Sequence, residues 1–79
     1  MSPTVLREGP FRIYFFSREE TRSHVHVYCA DGEAKFWLEP QTEVAHNYGL
    51  SGPQLRLAEA LIRKHEEVIR AAWHRHFGD

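Results

Sequence analysis

The sequence predicts an α+β fold, with a three- or four-stranded antiparallel sheet packed on one face by a long C-terminal helix. Three observations carry that prediction. Two runs of β-type residues, Ser23 to Ala30 and Glu33 to Glu39, flank Asp31-Gly32, a dipeptide suited to a two-residue turn. A second pair of extended runs, Thr4 to Arg7 and Phe11 to Phe16, is separated by the turn-forming Glu8-Gly9-Pro10. The last third carries apolar residues at helical spacing behind a capping box.

Taken in order, the first hairpin places Phe11, Ile13 and Phe15 on one side of its second strand and Arg12, Tyr14 and Phe16 on the other. Both sides are partly apolar, so both want a cover. Ser17 to Ser23 is charged and aperiodic and reads as a loop, in which Arg18 and Arg22 either meet an anion or stay solvated. If Asp31 and Gly32 are the loop residues of the second hairpin, Cys29 opposes Ala34, Tyr28 opposes Lys35, Val27 opposes Phe36, His26 opposes Trp37, Val25 opposes Leu38 and His24 opposes Glu39. Val25, Val27, Cys29, Ala34, Phe36 and Leu38 then form a wholly apolar face. His24, His26, Tyr28, Lys35, Trp37 and Glu39 project from the other, as either a functional surface or an ordinary solvated one.

Pro40 ends the second run, and Gln41 to Asn47 reads as a short helical turn stopped at Gly49, with His46 at its carboxyl end. Ser51 and Gln54 form the capping box, and Leu50 and Leu55 stand at the positions of a hydrophobic staple. From Leu55 to Phe77 the apolar residues keep one stripe, and Gly78 closes it. A helix from Gly52 to Phe77 is roughly 39 Å long, about twice the reach of a five- or six-residue strand. Part of its stripe, including Trp73 and Phe77, must find another cover, at the sheet edge or on a second subunit.

The totals narrow the function classes. Seventy-nine residues allow one small domain, close to the size at which oligomerisation helps stability. The formal net charge of -1 argues against a nucleic-acid binder held by bulk charge, although local basic patches remain compatible with it. One cysteine excludes an internal disulfide framework. The chain also shows neither a membrane-spanning stretch nor a signal-peptide layout, so a cytoplasmic location is expected.

Six histidines bring chemistry into question. His24 and His26, two apart on a strand, point the same way, but a metal would need further ligands from His65, His46 or Glu39, and no metal or cofactor is expected. His74 and His76, two apart on a helix, do not form a chelating pair. Histidine beside Tyr28, Lys35 and Arg12 fits a metal-independent ribonuclease, in which one group takes the 2′-hydroxyl proton, another protonates the leaving oxygen and a cation stabilises the phosphorane. No P-loop, Ser-His-Asp order, paired-cysteine motif or Rossmann glycine pattern is present.

Pro3-Thr4-Val5-Leu6-Arg7, Phe11-Arg12, His24-Val25-His26-Val27, Gly32-Glu33-Ala34-Lys35-Phe36-Trp37-Leu38 and the closing His65 with Ala72-Trp73 resemble a bacterial family catalogued as domain of unknown function 4160. In that family the histidine pair usually follows prolines, where this chain has Arg22-Ser23. The resemblance implies a small intracellular protein in a toxin-antitoxin-like context, with a cognate small protein as partner. A β-hairpin bearing a strand histidine and followed by a helix is also similar to HicA-type mRNA interferases, though the helix that opens their fold has no counterpart here.

The expected function is therefore a component of a bacterial toxin-antitoxin-like module acting on RNA or a partner protein. His24, His26, Tyr28 and Lys35 are its candidate catalytic residues, and Trp37, Tyr14, Phe16 and Arg12 its candidate partner contacts. The rival of a different class is a non-enzymatic protein-binding or transcription-regulatory module that dimerises or binds a cognate partner through the same face.

Overall fold

Alternating apolar and polar residues build five short strands that pair antiparallel in chain order. The computed structural model describes residues 4–16 and 22–78. The strands are β1 (Thr4–Glu8), β2 (Phe11–Tyr14), β3 (His24–Cys29), β4 (Gly32–Trp37) and β5 (Glu43–Tyr48), followed by helices α1 (Gly52–Lys64) and α2 (Glu66–Phe77). The α+β class and the antiparallel sheet agree with the sequence reading, while the strand count exceeds it by one. Most of the charged run before β3, Ser17 to Thr21, lies outside the described residues.

The helices cover the face expected for them. Phe11, Ile13, Phe15, Val25, Val27, Ala34, Phe36 and Leu38 pack with Ala58, Leu61, Ile62, Ile69 and Trp73 into one core. Ile13, Val25, Val27, Phe36, Leu38, Ile62 and Ile69 are completely enclosed, and each such side chain contributes about 1.5–3 kcal/mol relative to exposure. No helix is long and apolar enough to cross a membrane, among the described residues.

The hairpin register differs from the expected one by two residues. Cys29 opposes Gly32, Tyr28 opposes Glu33, Val27 opposes Ala34, His26 opposes Lys35, Val25 opposes Phe36 and His24 opposes Trp37, so Ala30 and Asp31 form the loop. Because side chains alternate with period two, a slip of two preserves the division of faces. The physical reason lies at Gly32, which the strand needs as a residue without a side chain. A Cβ there would fall 2.1 Å from the Tyr48 carbonyl oxygen, and one on Gly49, at φ +101°, 2.7 Å from the Asp31 carbonyl oxygen.

The segment read as a helical turn after Pro40 is instead the edge strand β5, so His46 sits on a strand and not at a helix end. Its pairing with β4 shifts between Lys35 and Phe36, where one extra residue interrupts the alternation. That irregularity hides the strand period in the sequence. Asn47 then turns the chain into α1, its side-chain amide donating to the Leu50 carbonyl and its side-chain oxygen accepting the Leu50 N–H.

The capping box forms as expected, with the Gln54 N–H donating to Ser51 Oγ at 3.2 Å and the Ser51 N–H to Gln54 Oε1 at 2.8 Å. Gln54 Nε2 also donates to Asp31 at 2.7 Å, tying the helix start to the hairpin turn. The single long helix is broken at His65, whose φ of -108° and ψ of 25° end α1 and begin α2. A straight helix would leave the short sheet behind; the break returns Ile69 and Trp73 to the core. Trp73 and Phe77 meet Phe15 at 5.4 and 5.7 Å, which satisfies the distal part of the stripe within the monomer. Gly78, left-handed at φ 75°, closes α2.

Polar contacts hold the break in place. His65 Nε2 lies 2.9 Å from Glu8, and Lys64 Nζ donates to the same carboxylate at 3.2 Å. The His65 hydrogen bond first, and the Lys64 one next, hold the Glu8 carboxyl below its ordinary value. Arg63 donates to the Thr42 carbonyl, and Arg70 to the Leu38 carbonyl and to Glu39, which fastens both helices to the loop between β4 and β5. Within the helices, Arg63 pairs with Glu59 and Arg70 with Glu66, each one turn apart.

Gly32→Ala is expected to lower the unfolding free energy by about 1–3 kcal/mol, because its methyl group meets backbone that cannot yield cheaply. Urea denaturation reads this directly, and wild-type stability in the variant would mean that the two turns do not touch.

Candidate functional site

The side of the sheet away from the helices is organised in rows set by the ladder. Arg12, Tyr28, Glu33 and Tyr48 oppose one another in sequence across β2 to β5. The next row is Tyr14, His26, Lys35 and His46. Beyond it His24 opposes Trp37, and Trp37 opposes Glu43. Directly opposed residues carry Cβ atoms about 4.5–5.5 Å apart, so each row is a line of adjacent side chains.

A depression of about 300 Å³ opens over the middle row, lined by Tyr14, Phe16, His26, Glu33, Lys35, His46 and Tyr48 among others. The Tyr14 ring stacks on His26 with centroids 5.2 Å apart, and Phe16 meets His26 edge-on at 5.5 Å. The Tyr14 hydroxyl donates to Glu33 at 3.2 Å. His26 and Lys35, which line it, keep only 7% and 6% of their surface, so packing fixes their side chains. His46, on the edge strand, is exposed and stacks with Tyr48 at 5.9 Å.

Two cations converge on Trp37. The Arg22 guanidinium lies 4.1 Å and the Lys35 ammonium 4.7 Å from its ring centroid, each within cation–π range. Arg22 is fixed further by donating to the Glu39 carbonyl at 3.0 Å. Arg12 lies over Tyr14 at 4.6 Å and donates to Thr4. Rings and cations thus alternate across the face.

The expected catalytic residues are only partly together. His26 and Lys35 are neighbours in the depression, whereas Tyr28 is about half exposed in the adjoining row and is not among its lining residues. His24 is 1% exposed at the end of the sheet, between Trp37 and Trp73 of α2, with ring centroids 6.0 and 5.2 Å away. Its Nδ1 stands 2.7 Å from the Arg22 carbonyl, which can only accept, so Nδ1 carries the proton of that bond. His24 therefore stands behind His26, at 5.4 Å, rather than on the accessible surface. Of the expected partner contacts, Tyr14 and Phe16 line the depression, and Arg12 and Trp37 flank it.

Sequence reasoning missed His46, Tyr48 and Glu33 as members of the site. His46 and Tyr48 stand two apart, as strand neighbours on one face must, and reading Glu43 to Tyr48 as extended would have found them. Among the described residues no group of three His, Cys, Asp or Glu side chains is arranged to hold a metal ion.

Residues 11–74 match a family described as "Domain of unknown function (DUF4160)". The chain belongs to that family. The DUF4160 match runs from the start of β2 to one residue past Trp73, so it contains every lining residue of the depression. Outside it fall β1 and the last residues of α2. No curated protein and no solved structure matches the chain.

His24→Ala is expected to cost about 1–3 kcal/mol, through the lost hydrogen bond and the cavity left beside Trp73. His46→Ala, at an exposed position, should stay within about 0.5 kcal/mol of wild type. Parallel chemical denaturation of the two variants checks this, and the reverse order would contradict the placement of the two imidazoles.

Proposed function

We propose that the chain is an RNA-contacting component of a bacterial toxin-antitoxin-like module, and that single-stranded RNA lies across the face opposite the helices. One observation carries the reading: on that face the rings of Tyr14, Phe16, Tyr28, Trp37 and Tyr48 are interleaved with Arg12, Arg22 and Lys35. Bases of any sequence stack on aromatic rings, and each stack is worth about 1–3 kcal/mol, while cations follow the phosphates. The arrangement suits a single strand better than a duplex, whose bases are already stacked. Glu33 and Glu43 are the acidic members of these rows, and Glu33 is engaged by the Tyr14 hydroxyl.

The module context rests on the family likeness and on the small size of the domain, and a cytoplasmic location and self-association belong to the same reading. A second occupant, a cognate small protein, is favoured by the exposure of Phe16 and Tyr48, since exposed aromatic groups of this kind are common in protein interfaces.

Fluorescence anisotropy with a labelled single-stranded oligoribonucleotide tests the proposal. Binding should weaken as salt rises, and Trp37→Ala and Tyr48→Ala should each weaken it about 5- to 150-fold, the loss of one stacked base. Affinity that is absent at low salt, or untouched by both variants, would overturn it and leave the protein partner as the occupant.

A further inference from the structure

The middle row adds His46 to His26 and Lys35, two groups that the sequence already places on one face. Resting on the reading of this face as an RNA-contact surface, we propose that His26, Lys35 and His46 form a metal-independent ribonuclease site that cleaves single-stranded RNA by transesterification. Lys35 directly opposes His26 on one side and His46 on the other. The two imidazoles are therefore carried on backbone positions two strand spacings apart, about 10 Å, with Lys35 on the strand between them and its ammonium 4.7 Å from the Trp37 ring centroid.

That order matches the demands of an in-line displacement at phosphorus. The attacking and departing oxygens stand on opposite sides of the phosphorus, and each needs a proton-transfer partner within about 2.6–3.2 Å. One imidazole, neutral at the start, takes the proton of the 2′-hydroxyl as its oxygen forms the bond to phosphorus. The bond from phosphorus to the 5′-oxygen breaks, and that oxygen takes a proton from the second imidazole, which starts protonated. The Lys35 ammonium holds the negative charge that collects on the non-bridging oxygens. The products are a 2′,3′-cyclic phosphate and a 5′-hydroxyl; the two rings have exchanged protonation states and are reset by solvent.

The surroundings fit this division of work. Stacking on Tyr14 and an edge contact from Phe16 hold the His26 ring, so its nitrogens are presented in a fixed direction. Lys35 is nearly enclosed and is steered by Trp37. His46 and Tyr48 stack together on the open rim, where a base adjoining the scissile phosphate finds a ring to lie against. Glu33, the carboxylate of the depression, accepts the Tyr14 hydroxyl.

The deciding experiment incubates the full chain with an end-labelled single-stranded oligoribonucleotide of mixed sequence in EDTA, and follows cleavage and anisotropy on the same samples. Wild type should yield fragments ending in 2′,3′-cyclic phosphate and should leave an all-2′-deoxy strand intact. His26→Ala and His46→Ala should each slow cleavage about 100-fold or more, the usual size of a general acid or base contribution, and change RNA affinity by less than a factor of three. His46→Ala alone decides the matter if the His26 variant does not fold. RNA that is bound but uncleaved, cleavage abolished by EDTA, or equal rates in wild type and His46→Ala would overturn the catalytic assignment and leave the contact surface standing. Absence of RNA binding would overturn both.

Discussion

Two chain reversals pressed against each other set the geometry of this domain. The turn between β3 and β4 and the turn between β5 and α1 meet so closely at Gly32 and Gly49 that neither position admits a side chain without moving backbone. Gln54 then bridges them with one amide group, its oxygen accepting the Ser51 N–H and its nitrogen donating to Asp31. A hydrogen-bonded cap and a hairpin loop are thereby built as one unit. The strand register follows, since Gly32 has to lie where Tyr48 passes.

From that register comes the row across the open face. Tyr14, His26, Lys35 and His46 belong to four strands and adjoin only because each pairing is fixed. Lysine and histidine rarely sit with so little exposed surface on a side of a sheet that no helix covers. Here the neighbouring rings of Tyr14, Phe16 and Trp37 remove that surface from water, while both side chains still line a depression. The opposite face does the ordinary work of stability, with Ile13, Val27, Phe36, Ile62 and Ile69 enclosed between sheet and helices.

Much of this was legible in the residues because local rules decided it. Ser51 and Gln54 announce the start of α1, Gly78 the end of α2, and the alternation in Val25, Val27, Phe36 and Leu38 the face that the helices cover. The hairpin loop was misplaced because Asp31-Gly32 satisfies turn chemistry locally, whereas a contact with Tyr48, distant in sequence, claims Gly32 for the strand. An even slip left every side chain on its expected face. The edge strand was lost because an extra residue interrupts its period beside Lys35, and with it went His46 and Tyr48. The break at His65 carries no proline or glycine signal; it answers to the reach of the sheet and to Glu8 near the start of the chain. His24 looked accessible from alternation alone, since nothing in the strand reveals that Trp73 returns to cover it.

On the proposed reading, this domain meets single-stranded RNA at the four-strand row on the uncovered face. Chemical-shift mapping of isotope-labelled protein during titration with a short oligoribonucleotide tests it most directly. The largest changes are expected on Tyr14, His26, Lys35, His46 and Tyr48, with Leu57 and Val68 on the exposed helix surfaces unmoved. Changes concentrated on α1 and α2, with the row silent, would contradict it.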